Sequence, residues 1–184
     1  MYIEFNQLPE TARVWVYQAD RPVTEGEQAT ILSDAQRFLT SWTAHSQDLR
    51  ASCCFFYSRF LVLSVDESLN QASGCSIDKS VHFVQHLEQQ YGIRFLDRSQ
   101  QAFLIEETVR LVPLKDLKQA VSTEEITPET LAFNNAVATV AELNNRWLLP
   151  AAQTWLARYF KSNEVPHPNP SPKERGFSLS ADAT

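Results

Sequence analysis

The densest concentration of chemistry-capable side chains is Ser73-Gly74-Cys75-Ser76-Ile77-Asp78-Lys79-Ser80-Val81-His82. If a helix begins near Ser76 or Asp78, its unpaired backbone N–H groups and the positive end of its dipole point at whatever lies over Gly74 and Cys75. That arrangement could hold an anion, with Gly74 permitting close approach and the amides of Ser76 to Asp78 as donors. The same field would favour a Cys75 thiolate, with His82 as its base, in a cysteine-dependent enzyme or thiol redox sensor. A plainer reading makes Ser76 and Asp78 helix caps, Gly74 a turn residue and Cys75 a small hydrophobe. Asp66 and Glu67 supply adjacent carboxylates where a strand ends, and they would form the rim of a ligand site at the loop Gln71 to Ile77.

His82 and His86 stand one helical turn apart and could hold a divalent metal with a third ligand from His45, Asp66 or Glu67. The intervening Phe83-Val84-Gln85 lacks the general-base glutamate of HExxH, so the expectation is no metal and no cofactor. Cys53, Cys54 and Cys75 form no CxxC. Consecutive strand residues point to opposite faces, so the adjacent pair suits a strand, and thiols used this way fit a reducing cytoplasm.

Composition removes whole classes of function. The 184 residues include four glycines, Gly26, Gly74, Gly92 and Gly176, too sparse for GxGxxG, GxxxxGK[ST] or GxSxG. A formal net charge of −6 and the lack of any basic run argue against a surface that tracks phosphates, so no nucleic-acid partner is expected. No basic segment followed by an apolar stretch opens the sequence, and apolar runs are too short for a membrane span. The expected location is the cytoplasm.

Elements must position those residues. Arg13-Val14-Trp15-Val16-Tyr17 is β-branched and aromatic, and predicts a strand buried on both faces. Thr24 with Glu27 is a capping box for a helix carrying Ile31, Leu32, Ala35, Phe38, Leu39 and Trp42. Leu49 to Tyr57 and Phe60 to Val65, divided by Ser58-Arg59, predict a hairpin. A second helix runs from near Asp78 with Val81, Val84, Leu87 and Tyr91 on its buried stripe, closed by Gly92 as a left-handed cap. Phe95-Leu96 then predicts a strand, and Gln101 to Ile105 with Val109 to Leu114 a second hairpin turning at Glu106-Glu107-Thr108.

In order, these elements give an α+β fold, a ferredoxin-like β-α-β-β-α-β sandwich over 13–113 extended by the second hairpin. Residues 114–160 read as a helical C-terminal extension of the same 1–160 domain. It has helix starts at Leu114, at Thr127-Pro128-Glu129 and at Thr139 with Glu142, and Pro150 breaks the chain between Trp147 and Trp155. All four tryptophans are expected in the core, and an exposed one would mark a partner surface. Asn134-Asn135 and Asn144-Asn145 carry no assigned chemistry. Residues 161–184, with Pro166-His167-Pro168-Asn169-Pro170-Ser171-Pro172, have the composition of a disordered tail.

Val14-Trp15-Val16-Tyr17-Gln18, the run Phe60 to Glu67, Gly74 to Val81, Phe95-Leu96-Asp97-Arg98 and Val112-Pro113-Leu114-Lys115 together resemble a family of bacterial proteins of no assigned activity that often carry the label "ABC transporter ATPase". The resemblance spans residues 13 to about 160. That activity needs the phosphate-cradling loop and an LSGGQ-type signature, both forbidden by four scattered glycines, so the resemblance implies no ATPase. The expectation is a module that binds a small anionic ligand or a protein partner. Gly74, Cys75, Ser76, Asp78, Asp66 and Glu67 would form the ligand site. A homodimer through a sheet edge or through Trp147 and Trp155 is the further partner expected.

Overall fold

Alternating side chains send the first strand, β1 (Arg13–Gln18), into two cores at once: Trp15 and Tyr17 join one, Val14 and Val16 the other. The computed structural model describes residues 1–44, 47–68 and 70–160. His45, a candidate third metal ligand, and the tail 161–184, for which disorder is expected, lie outside the described residues. After β1, Thr24 caps α1 (Glu25–Thr40) with both arms of a capping box: its hydroxyl accepts from the Glu27 amide, and the Glu27 carboxylate accepts from the Thr24 amide. Helix α1 buries Ile31, Ala35 and Leu39. Two short strands, β2 (Thr43–Ala44) and β3 (Gln47–Asp48), pair with each other before the hairpin of β4 (Arg50–Phe56) and β5 (Phe60–Asp66).

That hairpin turns one residue earlier than expected. Tyr57 and Ser58 both adopt left-handed backbone, φ 52° and 48°, which fits the twist of paired strands although neither residue is the usual Asn or Gly. Strand β5 lies between β1 and β4 in a three-stranded antiparallel sheet, and all seven of its residues are buried. Helix α2 (Gly74–Tyr91) follows, closed as predicted by Gly92 in the left-handed region at φ 61°.

Beyond Gly92 the predicted strand at Phe95-Leu96 does not form, because the amides a ladder would need are already taken. The Glu88 carboxylate accepts from Phe95 N at 2.6 Å and from Leu96 N at 2.8 Å. The free edge of β1 meets a different segment: Val14 N donates to Ala138 O and Val140 N to Ala12 O, around a bridge between Arg13 and Thr139.

The second hairpin, β6 (Gln100–Ile105) and β7 (Thr108–Pro113), builds another sheet. Its turn again uses left-handed non-glycine residues, Glu106 and Glu107. After α3 (Leu117–Ser122), the region 114–160 departs from the helical expectation. Thr127 to Thr130 close a turn, β8 (Leu131–Phe133) pairs with β6, α4 (Val140–Arg146) follows its Thr139 cap, and β9 (Leu148–Pro150) pairs with β8. Pro150, with no N–H to donate, ends an edge strand instead of kinking a helix. α5 (Ala157–Phe160) is the last described element. The sheet order β7-β6-β8-β9 therefore draws strands from both sides of Pro113.

The result is an α+β stack. Helices α1 and α2 cover one face of β1-β5-β4 with Leu61, Leu63, Val65, Val84 and Leu87. The opposite face meets the second sheet through Phe60, Val62, Ala102, Phe133 and Trp147. Phe103, Leu117, Ile126 and Leu156 pack beyond that sheet. At about 1.5–3 kcal/mol for each large apolar side chain removed from water, these three clusters drive folding. A polar chain registers the sheets: Trp147 Nε1 donates to Asn135 Oδ1, Asn135 Nδ2 to Gln18 Oε1, and Gln18 Nε2 to Gln100 O. Asn135, with no role assigned from the sequence, is a link in that chain, and Trp147 is buried as expected.

Candidate functional site

The first turn of α2 starts earlier than the sequence suggests. Ser73 is its cap, so Gly74 and Cys75 lie inside the helix and not in a loop above it. The donors expected to face a ligand are largely spent. Ser76 N donates to Ser73 Oγ at 3.2 Å, Ile77 N donates to Ser73 O at 3.0 Å, and Ser76 itself is buried. Ser76 O accepts from the indole of Trp42 at 2.9 Å, which ties this turn to the end of α1. Asp78 is exposed.

The rim carboxylates are committed as well. Asp66 is buried; one oxygen accepts from Ser68 N at 3.0 Å and the other pairs with Arg50 at 3.1 Å. Burial alone would raise its pKa, but the Ser68 contacts and Arg50 win and hold the carboxyl below its ordinary value. Glu67 accepts from Ala72 N at 2.9 Å and lies 3.7 Å from Arg13. Both acids thus brace the 66–72 connection.

Cys75 is exposed, and His82 is seven residues further along the same helix, about 10 Å along its axis. With Cys75 inside the helix there is no loop to fold back, and the expected Cys75–His82 pair is not brought together. Burial pushes the other two thiols, Cys53 and Cys54, up to about 12. Among the described residues no three His, Cys, Asp or Glu side chains converge on a metal position.

The structure instead gathers side chains on the flank of α2. Its buried stripe is Ser76, Ser80, Val84 and Leu87 rather than the predicted Val81, Val84, Leu87 and Tyr91. The two serines tolerate burial because each hydroxyl donates back to a carbonyl three residues earlier, Ser73 O and Ile77 O. With that stripe turned inward, Lys79, His82, Phe83 and His86 line a depression of about 490 Å³ against Phe38, Ser41 and Trp42.

Its floor is aromatic. The rings of Phe38 and Phe83 stack in parallel with centroids 4.5 Å apart, and Trp42 leans on Phe38 at 5.4 Å. Its wall is basic. His82 and His86 are exposed, and Lys79, also exposed, forms no ion pair among the described residues. A smaller depression continues past His86 to Asp34, Arg37 and Gln90. There the one acid is occupied: Asp34 accepts from Tyr91 Oη at 2.7 Å and pairs with Arg37. The Tyr91 contact foremost holds its carboxyl low, while burial and the Asp34 carboxylate push the Tyr91 hydroxyl up to about 12.

By spacing His82 and His86 are a candidate metal pair and Phe38 and Trp42 are core, whereas the groove they share forms only in the fold. A signal was present, since Lys79, His82, Phe83 and His86 recur at helical spacing beside the buried stripe. Trp155 is the tryptophan that departs from the core expectation, 43% exposed, with Arg158 over its ring at 4.7 Å. No helix among the described residues is long and apolar enough to cross a membrane. Comparison of the chain with protein-family models, with curated proteins and with solved structures returns no match.

Proposed function

We propose that this protein is a binding module for a small anionic ligand, and that the ligand sits in the groove between α1 and α2. One observation carries the reading: Lys79, His82 and His86 line the groove on one flank of α2 and no carboxylate neutralises Lys79 among the described residues. Unpaired positive charge beside an apolar floor attracts an anion and strengthens its hold by excluding water. The volume lies in the range of small-molecule sites.

The test is a titration of the labelled protein with a panel of carboxylates and organic phosphates, followed by amide and imidazole NMR shifts. Saturable shifts at Lys79, His82, Phe83 and His86 are the expected result. Shifts centred on residues 71–78, or none across the panel at millimolar concentration, would overturn it.

The finer structural reading belongs with this proposal. The order β1-β5-β4 with α1 and α2 on one face supports a ferredoxin-like N-terminal unit, with residues 138–140 at the edge of β1 where a fourth strand would pair. Free thiols at Cys53, Cys54 and Cys75 support a cytoplasmic location. The absence of a glycine-rich phosphate loop from the sequence supports ligand binding over the nucleotide hydrolysis that the family label would suggest.

A further inference from the structure

We infer that the groove is built for an amphipathic organic anion: a planar apolar body laid against Phe38 and Phe83, which the buried Trp42 backs, with one acidic head held by Lys79, His82 and His86. This rests on the groove reading above and goes further by naming the ligand class. The argument is the division of the lining into two chemistries. One side is carbon, the parallel Phe38–Phe83 stack and the Trp42 ring beside it. The other side offers nitrogen donors, the Lys79 ammonium and the His82 and His86 imidazoles, spaced by three and four residues so that they stand in a row along one helix flank. An inorganic anion would occupy little of about 490 Å³ and leave the aromatic floor in water. A neutral arene would cover the floor but strip water from Lys79 without giving it a partner, which costs free energy. Only a ligand with both parts answers both sides.

The far end of the groove supports the same orientation. Asp34 stands past His86, and its carboxylate is engaged by Tyr91 and Arg37, so it neither neutralises Lys79 nor offers a free negative charge to a cationic head. The acidic head therefore belongs at the Lys79–His82 end.

Three probes separate the parts: 8-anilinonaphthalene-1-sulfonate, whose sulfonate stays ionised across the working range; uncharged N-phenyl-1-naphthylamine, the same body without the head; and inorganic phosphate, a head without the body. Titrated fluorimetrically into the full chain, the sulfonate should saturate a single site, and the neutral amine should bind at least tenfold more weakly. Phosphate should fail to displace the sulfonate at equal concentration. Lys79→Glu should weaken the sulfonate at least tenfold and the neutral probe less than twofold, whereas Phe83→Ser should weaken both. His82→Glu, at an exposed position, replaces Phe83→Ser should that variant fail to fold, and it should weaken the sulfonate alone.

Equal binding of the two naphthyl probes, or displacement by phosphate at matching concentration, would overturn the amphipathic assignment while leaving the groove reading standing if Lys79→Glu or Phe83→Ser still lowers affinity. Indifference of the sulfonate to every one of these variants would show that it binds elsewhere, and the groove reading would fall with the inference.

Discussion

Helix α2 carries two places where charge and donors could meet a ligand, and they differ in what is left over. At its first turn Ser73 takes the Ser76 and Ile77 amides, Trp42 takes the Ser76 carbonyl, and Asp66 and Glu67 are consumed by backbone amides and arginines nearby. On its flank Lys79, His82 and His86 stand beside aromatic rings and, among the described residues, form no ion pair. A helix N-terminus binds anions through donors that remain free, and here the Ser76 and Ile77 amides are taken by Ser73. The flank is spared because its neighbours from α1 are mostly carbon.

The two places share one residue, and removing it gives the largest expected effect. Trp42 is 1% exposed; its ring packs against Phe38 and Trp15, and its indole N–H holds the first turn of α2. Trp42→Ala should cost about 3–5 kcal/mol in urea unfolding, as large aromatic deletions do. Trp42→Phe keeps most of the packing and should cost about 1–3 kcal/mol, through the lost indole bond to the Ser76 carbonyl and the smaller ring. Organic-anion binding in the groove should survive Trp42→Phe. A loss of binding with no loss of stability in Trp42→Phe would mean that the two regions are not separable in the way described.

How much of this was legible depends on how local each feature is. The Thr24–Glu27 box, the Thr139 cap and the Gly92 cap are written within a few residues, and all three form where expected. At the first turn the register differs by a few residues: the cap is Ser73, whose hydroxyl accepts the Ser76 amide. Phe95-Leu96 has strand composition, but a glutamate on the preceding helix claims its amides. Strands β8 and β9, three residues each, are too short to show periodicity. The groove was hidden because it exists only where α1 and α2 meet. Sequence showed Phe38 as core and His82 with His86 as a pair, and nothing local says that Phe83 will stack on Phe38.

A pair of substitutions sharpens the comparison at moderate cost. Ser73→Ala removes the α2 cap and should destabilise by about 1 kcal/mol without changing the affinity for an organic anion. Lys79→Glu should do the reverse: stability within about 0.5 kcal/mol of the parent, as for surface changes away from special features, and a large loss of anion affinity. Measured together by chemical denaturation and probe titration, the two variants test whether the first turn is structural and the flank functional. If Ser73→Ala weakened the anion and left stability untouched, the roles of the two regions would have to be exchanged.

The smallest expected effect concerns the helix ends on either side of the groove. The start of α1 includes a carboxylate, Glu27, bonded to Arg21 and to the Thr24 amide and hydroxyl, whereas the first turn of α2 contains no acid. The Arg21 hydrogen bond foremost, then the Thr24 contacts, lower the Glu27 carboxyl from 4.5 to about 2. A carboxylate whose pKa is depressed by folding stabilises the native state above its unfolded value and loses that contribution as pH falls through the folded one. The difference in melting temperature between parent and Glu27→Gln should therefore be fully present near neutral pH and close between about 4.5 and about 2. Ser73→Ala, which removes a neutral cap, should keep a constant offset from the parent over the same range. Asp20, Asp34, Asp66 and Asp97 also have lowered pKa values, and their shared acid sensitivity cancels in both differences. A Glu27→Gln offset that stayed constant, or a Ser73→Ala offset that shrank in acid, would show that the two helix ends do not differ in charge as their first turns indicate.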